Sequence, residues 1–223
     1  MNMNFMSQER IWNPEDQKSD LIIIGAGSTG SFIALTLAKM GFSQIEVIDF
    51  DKVEAHNIPN QFFRVGDVGE LKIVALAKII KEFTDLEVSG NATMLTEENI
   101  DNELDISSNS IIINCVDNMK ARQLTFDRLK GFPVKLVDTR MGGEGFSIHV
   151  IDCMNEEDCK EYQSSLDKPV KDTPCGEKGI IYTILAIASE TANIIKKLDQ
   201  AQPSPKILRR EMKTYRFIAG GDE

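Results

Sequence analysis

Apolar residues recur along this chain in two rhythms, and the rhythm decides the element. Leu21–Gly25, "LIIIG", is an unbroken apolar run ending on glycine and reads as a buried strand. From Ser28 to Met40 the apolar positions Phe32, Ile33, Leu35, Leu37 and Ala38 share a helical face, and Gly41 stands where a helix C-terminal glycine belongs. Gln44–Asp49, "QIEVID", alternates and reads as a second strand, completing a strand–helix–strand unit with a parallel crossover. The helical rhythm returns over Asp67–Phe83, with Leu71, Val74, Ala75, Leu76 and Ile79 on one face. A strand over Leu86–Leu95 and a short acidic helix over Thr96–Leu104 follow. Ser110–Asp117, "SIIINCVD", is a third apolar strand, Asn118–Lys130 a helix and Val134–Asp138 a fourth parallel strand.

Beyond this point the pattern changes. Gly145–Ile151 reads as a strand entered through the glycine-rich "RMGGEG", and Gly179–Leu198 as a long helix. Lys206–Ala219 reads as one last strand or a hairpin. Asp152–Pro174, rich in acids and lysines, reads as a mobile, solvated segment. The order predicts an α/β fold, a doubly wound, Rossmann-like and mostly parallel sheet extended by antiparallel strands at its C-terminal side. It is expected to be one domain: an N-terminal extension over 1–20, a nucleotide-binding core over 21–151, the mobile loop over 152–174, and a C-terminal helix and strand over 175–223.

Composition narrows the function classes. The net charge of −10 disfavours nucleic acid or an anionic membrane as the main partner, since the mean field repels both. No apolar run approaches the roughly 20 residues of a membrane span, and the polar N-terminus lacks the order of a signal peptide. Four cysteines without such a leader fit a reducing compartment, so a cytoplasmic protein is expected.

The chemistry concentrates at the first turn. Gly25, Gly27 and Gly30 form G-x-G-x-x-G between a strand and a helix: one glycine for the tight turn, one for close phosphate approach, one for helix–strand packing. The helix N-terminus favours an anion, and Asp49, closing the second strand, is placed to accept from ribose hydroxyls. This alone separates NAD from ATP no better than chance. Asp51 shares the strand-end face of Asp49, facing the triphosphate region. Lys72, at the first turn of a helix, can reach phosphate oxygens, and Asp117 ends the third strand on the ligand-binding rim. ATP chemistry uses a ribose acid, a phosphate-neutralising cation and a carboxylate for Mg²⁺; hydride transfer needs neither Lys72 nor Asp117.

These boxes, in order, resemble the ThiF/MoeB/HesA family, bacterial relatives of ubiquitin-activating enzymes. The family pattern runs G-x-G-x-x-G, D-x-D-x-V, N-x-x-R-Q, D-[VI]-G-x-x-K, then T-D-N followed by arginine. This chain has Gly25/Gly27/Gly30, "DFDKV", "NIPNQ", "DVGELK" and "VDNMKAR", and the likeness runs from about Leu21 to Leu198. The resemblance implies ATP- and Mg²⁺-dependent adenylation of the C-terminal carboxylate of a small ubiquitin-like or sulfur-carrier protein or peptide, by a homodimer. It implies that Asp49 holds the ribose, that Asn57, Gln61 and Lys72 line the phosphates with Asp51 and Asn118 beside them, and that Asp117 holds Mg²⁺. Arg10 matches, loosely, an arginine lent across the dimer. One departure stands out: Asn60 replaces the arginine of N-x-x-R-Q, and Arg64, four residues on, is the substitute cation.

Many family members carry zinc on two C-x-x-C pairs; this chain has none, so no zinc site is expected. Cys175, just before the long helix, is the leading candidate for a thioester nucleophile; Cys159, among acids, and Cys153 rank lower, and Cys115 reads as core. His56 and His149 have no metal spacing. An NAD-dependent oxidoreductase and a non-catalytic nucleotide-binding scaffold remain as alternatives, the second supported by Asn60.

Overall fold

The computed structural model describes residues 3–167 and 179–220. In chain order the elements are β1 (Asp20–Ile24), α1 (Ser28–Met40), β2 (Ile45–Ile48), α2 (Lys72–Thr84), β3 (Ser89–Asn91), α3 (Ile100–Glu103), β4 (Ser110–Asn114), α4 (Met119–Leu129), β5 (Lys135–Gly142), β6 (Gly145–Asp152), α5 (Glu156–Leu166), α6 (Ile181–Asp199), β7 (Ile207–Glu211) and β8 (Arg216–Gly220). The strands form one eight-stranded sheet in the order β3-β2-β1-β4-β5-β6-β7-β8. Pairing is parallel from β3 through β5 and antiparallel from β5 to β8. The expected α/β sheet with an antiparallel C-terminal extension is therefore present.

Two apolar layers cover the sheet. Ile33, Leu37, Leu76, Ile80, Ile187 and Ile195, from α1, α2 and α6, pack one face. Phe126, Leu129, Tyr162 and Ile100, from α4, α5 and α3, pack the other. The chain order reverses between β1 and β4, both parallel and adjacent, so the rim beyond Ile24 and Asn114 is the topological switch point where ligands sit in such sheets. Among the described residues no helix is long and apolar enough to cross a membrane.

Several local expectations are corrected. The helix expected from Asp67 begins at Lys72, because Val65–Asp67 forms a separate 3₁₀ turn. The strand over 86–95 shrinks to Ser89–Asn91, and the acidic helix to Ile100–Glu103. The segment read as mobile carries a full helix. Asn155 accepts from the amides of Glu157 (2.9 Å) and Asp158 (3.1 Å), three acids follow in the first turn, and Cys159, Tyr162 and Leu166 are buried. Of the two readings of the terminal element, a strand or a hairpin, the hairpin is present, β7 with β8.

Candidate nucleotide site

The turn after β1 is set by steric demands at two glycines. Gly25 adopts φ +96, in the left-handed region, and its amide donates to the Ile48 carbonyl (2.8 Å). A Cβ on Gly30 would stand 1.8 Å from the Gly25 carbonyl oxygen, so only hydrogen lets α1 sit directly on the turn. Gly27, the N-cap of α1, has nothing within 4 Å of where a Cβ would stand. Nothing packs over this cap, and an anion placed there would meet the N-terminal amides of α1.

Asp49 closes this turn from β2. Its Oδ2 accepts from the Ala26 amide (2.6 Å) and its Oδ1 from the Asp51 amide (2.8 Å), so one buried carboxylate fixes both loops and keeps free lone pairs on the rim. Lys72, the first residue of α2 and itself buried, sends its Nζ to Asp51 Oδ2 (2.8 Å) while its amide donates to the Asp51 carbonyl (2.9 Å). The pair places an ammonium on the same side as Asp49.

Between them runs the loop 54–63. The Asn57 side chain is buried and accepts from the Glu54 amide (2.9 Å), a structural task that fixes the loop. Ser31 Oγ accepts from the Phe62 amide (3.0 Å), tying the loop to α1. Asn60 Oδ1 and Gln61 Oε1 are shielded from solvent and have no hydrogen-bond partner. Buried polar atoms are normally satisfied, so these two acceptors fit a site completed by a ligand.

Asp117 and Asn118 follow β4. Both are exposed at the rim; Asn118 caps α4 by accepting from the Ala121 amide (2.8 Å). Among the described residues no three His, Cys, Asp or Glu side chains stand close enough to hold a metal.

Two expected site residues are placed elsewhere. Arg64 is exposed and binds Asp67 (3.1 Å) and Glu82 (2.5 Å). Glu82 lies ten residues beyond Lys72 on α2, about 15 Å along its axis, so Arg64 is drawn away from the phosphate side. Arg10 sits in a turn whose neighbours Gln8 and Trp12 both donate to the Met40 carbonyl, 2.6 and 3.0 Å. Met40 ends α1, whose other end is the glycine turn about 20 Å away. Arg10 therefore does not reach the turn of its own chain.

The described cysteines are poor nucleophiles. Burial pushes the Cys115 and Cys153 thiols up to about 12 and also raises Cys159, which lies on the buried face of α5 and not in a solvated segment as expected. Cys175 lies outside the described residues. His149 is buried, and burial together with Arg140 lowers it to about 4, so it is neutral.

A buried ionic group went unread in the sequence. Asp138 of β5, fully buried, binds Arg122 of α4 through one oxygen and Arg140 through the other (2.7 Å). The signal available was a charged residue closing an apolar strand, with a second charge two positions on, on the same face.

A parallel sheet with a switch point, a tight glycine turn after β1 and helices on both faces defines a Rossmann-like α/β domain. A model of the ThiF family matches residues 11–218, and the chain belongs to that family. It is similar to the SUMO-activating enzyme subunit uba-2 of Caenorhabditis elegans, 28% identical over 167 residues, which cover 73% of this chain and 28% of that protein. The adenylyltransferase and sulfurtransferase MOCS3 of Dictyostelium discoideum is 34% identical over 112 residues, 49% of this chain and 26% of that protein. The chain thus spans little more than a quarter of these relatives. Among solved structures, PaaA superposes with a TM-score of 0.72 at 18% identity, covering 92% of this chain and 73% of that one. Escherichia coli MccB with ATP gives 0.67 at 16%, covering 93% and 65%. Both share the fold.

Proposed function

We propose that this chain adenylates the C-terminal carboxylate of a small ubiquitin-like or sulfur-carrier protein, or of a peptide. The carrying observation is the open turn at Gly27, flanked by Asp49, by Lys72 and by the two unpartnered acceptors Asn60 Oδ1 and Gln61 Oε1. Family membership and relatives named as activating enzymes or adenylyltransferases support the reading.

In this reaction ATP supplies the adenylyl group: a carboxylate oxygen bonds the α-phosphorus, the α–β bridging bond breaks, and pyrophosphate leaves. The chain's residues position and neutralise. The α1 amides and Lys72 would meet phosphate charge, Asp49 would accept from the ribose, and Asp117 would be the protein's carboxylate for Mg²⁺, which would neutralise charge on the phosphates; among the described residues there is no three-ligand cage. Arg10 serves the partner site of a homodimer. The open edge strand β8 and the exposed Ile181, Tyr182 and Leu185 of α6 support such pairing. Transfer to Cys175 is the downstream step of this scheme.

ATP–pyrophosphate exchange with candidate partners ending in Gly-Gly tests the reading. Exchange dependent on Mg²⁺ and lost in Asp117→Ala supports it; absence of both exchange and ATP binding overturns it. Asn60 in place of an arginine, with Arg64 committed to Asp67 and Glu82, favours a second reading, a scaffold that binds nucleotide without adenylating. Tight ATP binding with no exchange for any partner selects it.

A further inference from the structure

The buried ionic group of β5 sits against the Asp117 turn, and its geometry assigns it work there. Three successive residues in the middle of β5, Asp138 to Arg140, reach toward β4 or α4 and α5. Thr139 donates its hydroxyl to the Asn114 carbonyl (3.0 Å) on one face of the sheet. On the other, Asp138 takes Arg122 on Oδ1 and Arg140 on Oδ2. Arg122 then donates its second terminal nitrogen to the Val116 carbonyl. The two carbonyls that flank Cys115 are thus both held from β5, directly or through Arg122. Cys115 itself is the backbone against which Gly25 packs: a Cβ on Gly25 would stand 3.0 Å from its carbonyl oxygen. Arg140 extends the group to the end of α5, donating to Ser165 Oγ (3.0 Å) and lying 5.2 Å from the Tyr162 ring centre.

Stability alone does not account for such a group. Two guanidiniums and one carboxylate lose hydration on burial, and apolar residues of similar volume commonly serve the core as well or better. Leu136 and Val137, the preceding residues of β5, show that the strand accepts them. What apolar residues cannot supply is a donor to the Val116 carbonyl, one residue before Asp117. The group also carries a net positive charge beside the rim, which favours a bound polyphosphate.

We infer that Asp138 is a positioning residue: it orients Arg122 so that Arg122 clamps the Val116 carbonyl and presents the Asp117–Asn118 turn to nucleotide. The inference rests on the proposed ATP site for its consequence, but not for the clamp itself. Two variants and a control test it in the full chain. Asp138→Asn removes the negative charge and leaves a single acceptor oxygen where two arginines each had one. Arg122→Lys keeps a cation against Asp138 but cannot bridge carboxylate and carbonyl together. Leu129→Ala, a buried truncation at the far end of α4, supplies a comparable loss of stability without touching the clamp.

Amide exchange without nucleotide reads the clamp: residues 115–121 should exchange at least ten-fold faster in Asp138→Asn and Arg122→Lys than in Leu129→Ala. Titration with Mg·ATP reads the consequence: affinity should fall at least ten-fold in the two variants and stay within two-fold of wild type in the control. If Asp138→Asn does not fold, Arg122→Lys carries both measurements. Wild-type exchange rates and affinity in Arg122→Lys overturn the inference. Accelerated exchange in the variants of a protein whose wild type binds no ATP supports the clamp and overturns the ATP reading instead.

Discussion

Gly30 and Gly27 lie three residues apart in one turn, and the structure assigns them opposite sensitivities. Alanine at 30 puts a Cβ 1.8 Å from the Gly25 carbonyl oxygen, a backbone atom that no rotamer change can remove. Contacts below about 3 Å are not sustained, so α1 must withdraw by more than about 1 Å from β1, opening the core around Ile33 and Leu37. Overpacking of this kind costs about 3 kcal/mol, or about 6–12 °C in Tm for a chain of this size. Alanine at 27 meets no atom within 4 Å and needs no left-handed φ, so stability should stay within about 0.5 kcal/mol. Its methyl instead occupies the space before the α1 amides, and ATP affinity should fall at least ten-fold. Thermal unfolding paired with nucleotide titration separates the two effects. A Gly30→Ala protein as stable as wild type would refute the packing argument. A Gly27→Ala protein that binds ATP normally would refute the placement of phosphate at this turn.

Three further outcomes are expected. Asp49→Ala strips a charged acceptor from the Ala26 and Asp51 amides and should cost about 3 kcal/mol in urea unfolding; it should also erase any preference for ATP over its 2′-deoxy analogue. Lys72→Met leaves only the half-exposed Asp51 without its partner, so stability should change by about 1 kcal/mol or less while exchange activity falls about 100-fold. His149 is buried neutral with its folded value lowered to about 4 from 6.5. The folded state therefore binds fewer protons than the unfolded one between these values, so the contribution is complete above pH 6.5 and is lost as pH falls toward 4. The loss is about 3 kcal/mol, and unfolding midpoints measured from pH 7 to 4 should fall less steeply in His149→Gln than in wild type.

The elements legible in the sequence are those whose cause is local. The glycine turn could be read because strand, turn and helix are consecutive in the chain and Gly30 answers a contact with Gly25 inside that span. Gly41 could be read for the same reason: it takes φ +99 and returns its amide to Ala38 at the end of α1. Helix α5 hid behind its composition. Acids and uncharged polar residues dominate 152–167, and the buried stripe is only Cys159, Tyr162 and Leu166, spaced three and four apart. Periodicity outweighed polarity there, since those three side chains find a partner face in Phe126 and Ile151.

The site divides along the same line. The positions of Asp49 and Lys72 were legible because each stands at an element's end, and their contact with nucleotide is part of the proposal. Arg64 was misplaced because its partner, Glu82, is eighteen residues away across a turn and a helix, and nothing local announces that pairing. Arg122 and Asp138 pose the harder case. Strand patterns give the existence of β4 and β5 but not their adjacency, which follows only from the parallel register that sets Ile24, Asn114 and Asp138 in one row. Once that row exists, Asp138, midway along β5, stands under the first turns of α4, and an arginine there has one carboxylate and one free carbonyl within reach. The turn that carries Asp117 is therefore held by a strand that supplies none of the expected nucleotide ligands. A substitution in β5 should alter nucleotide binding while every residue expected to touch nucleotide stays intact.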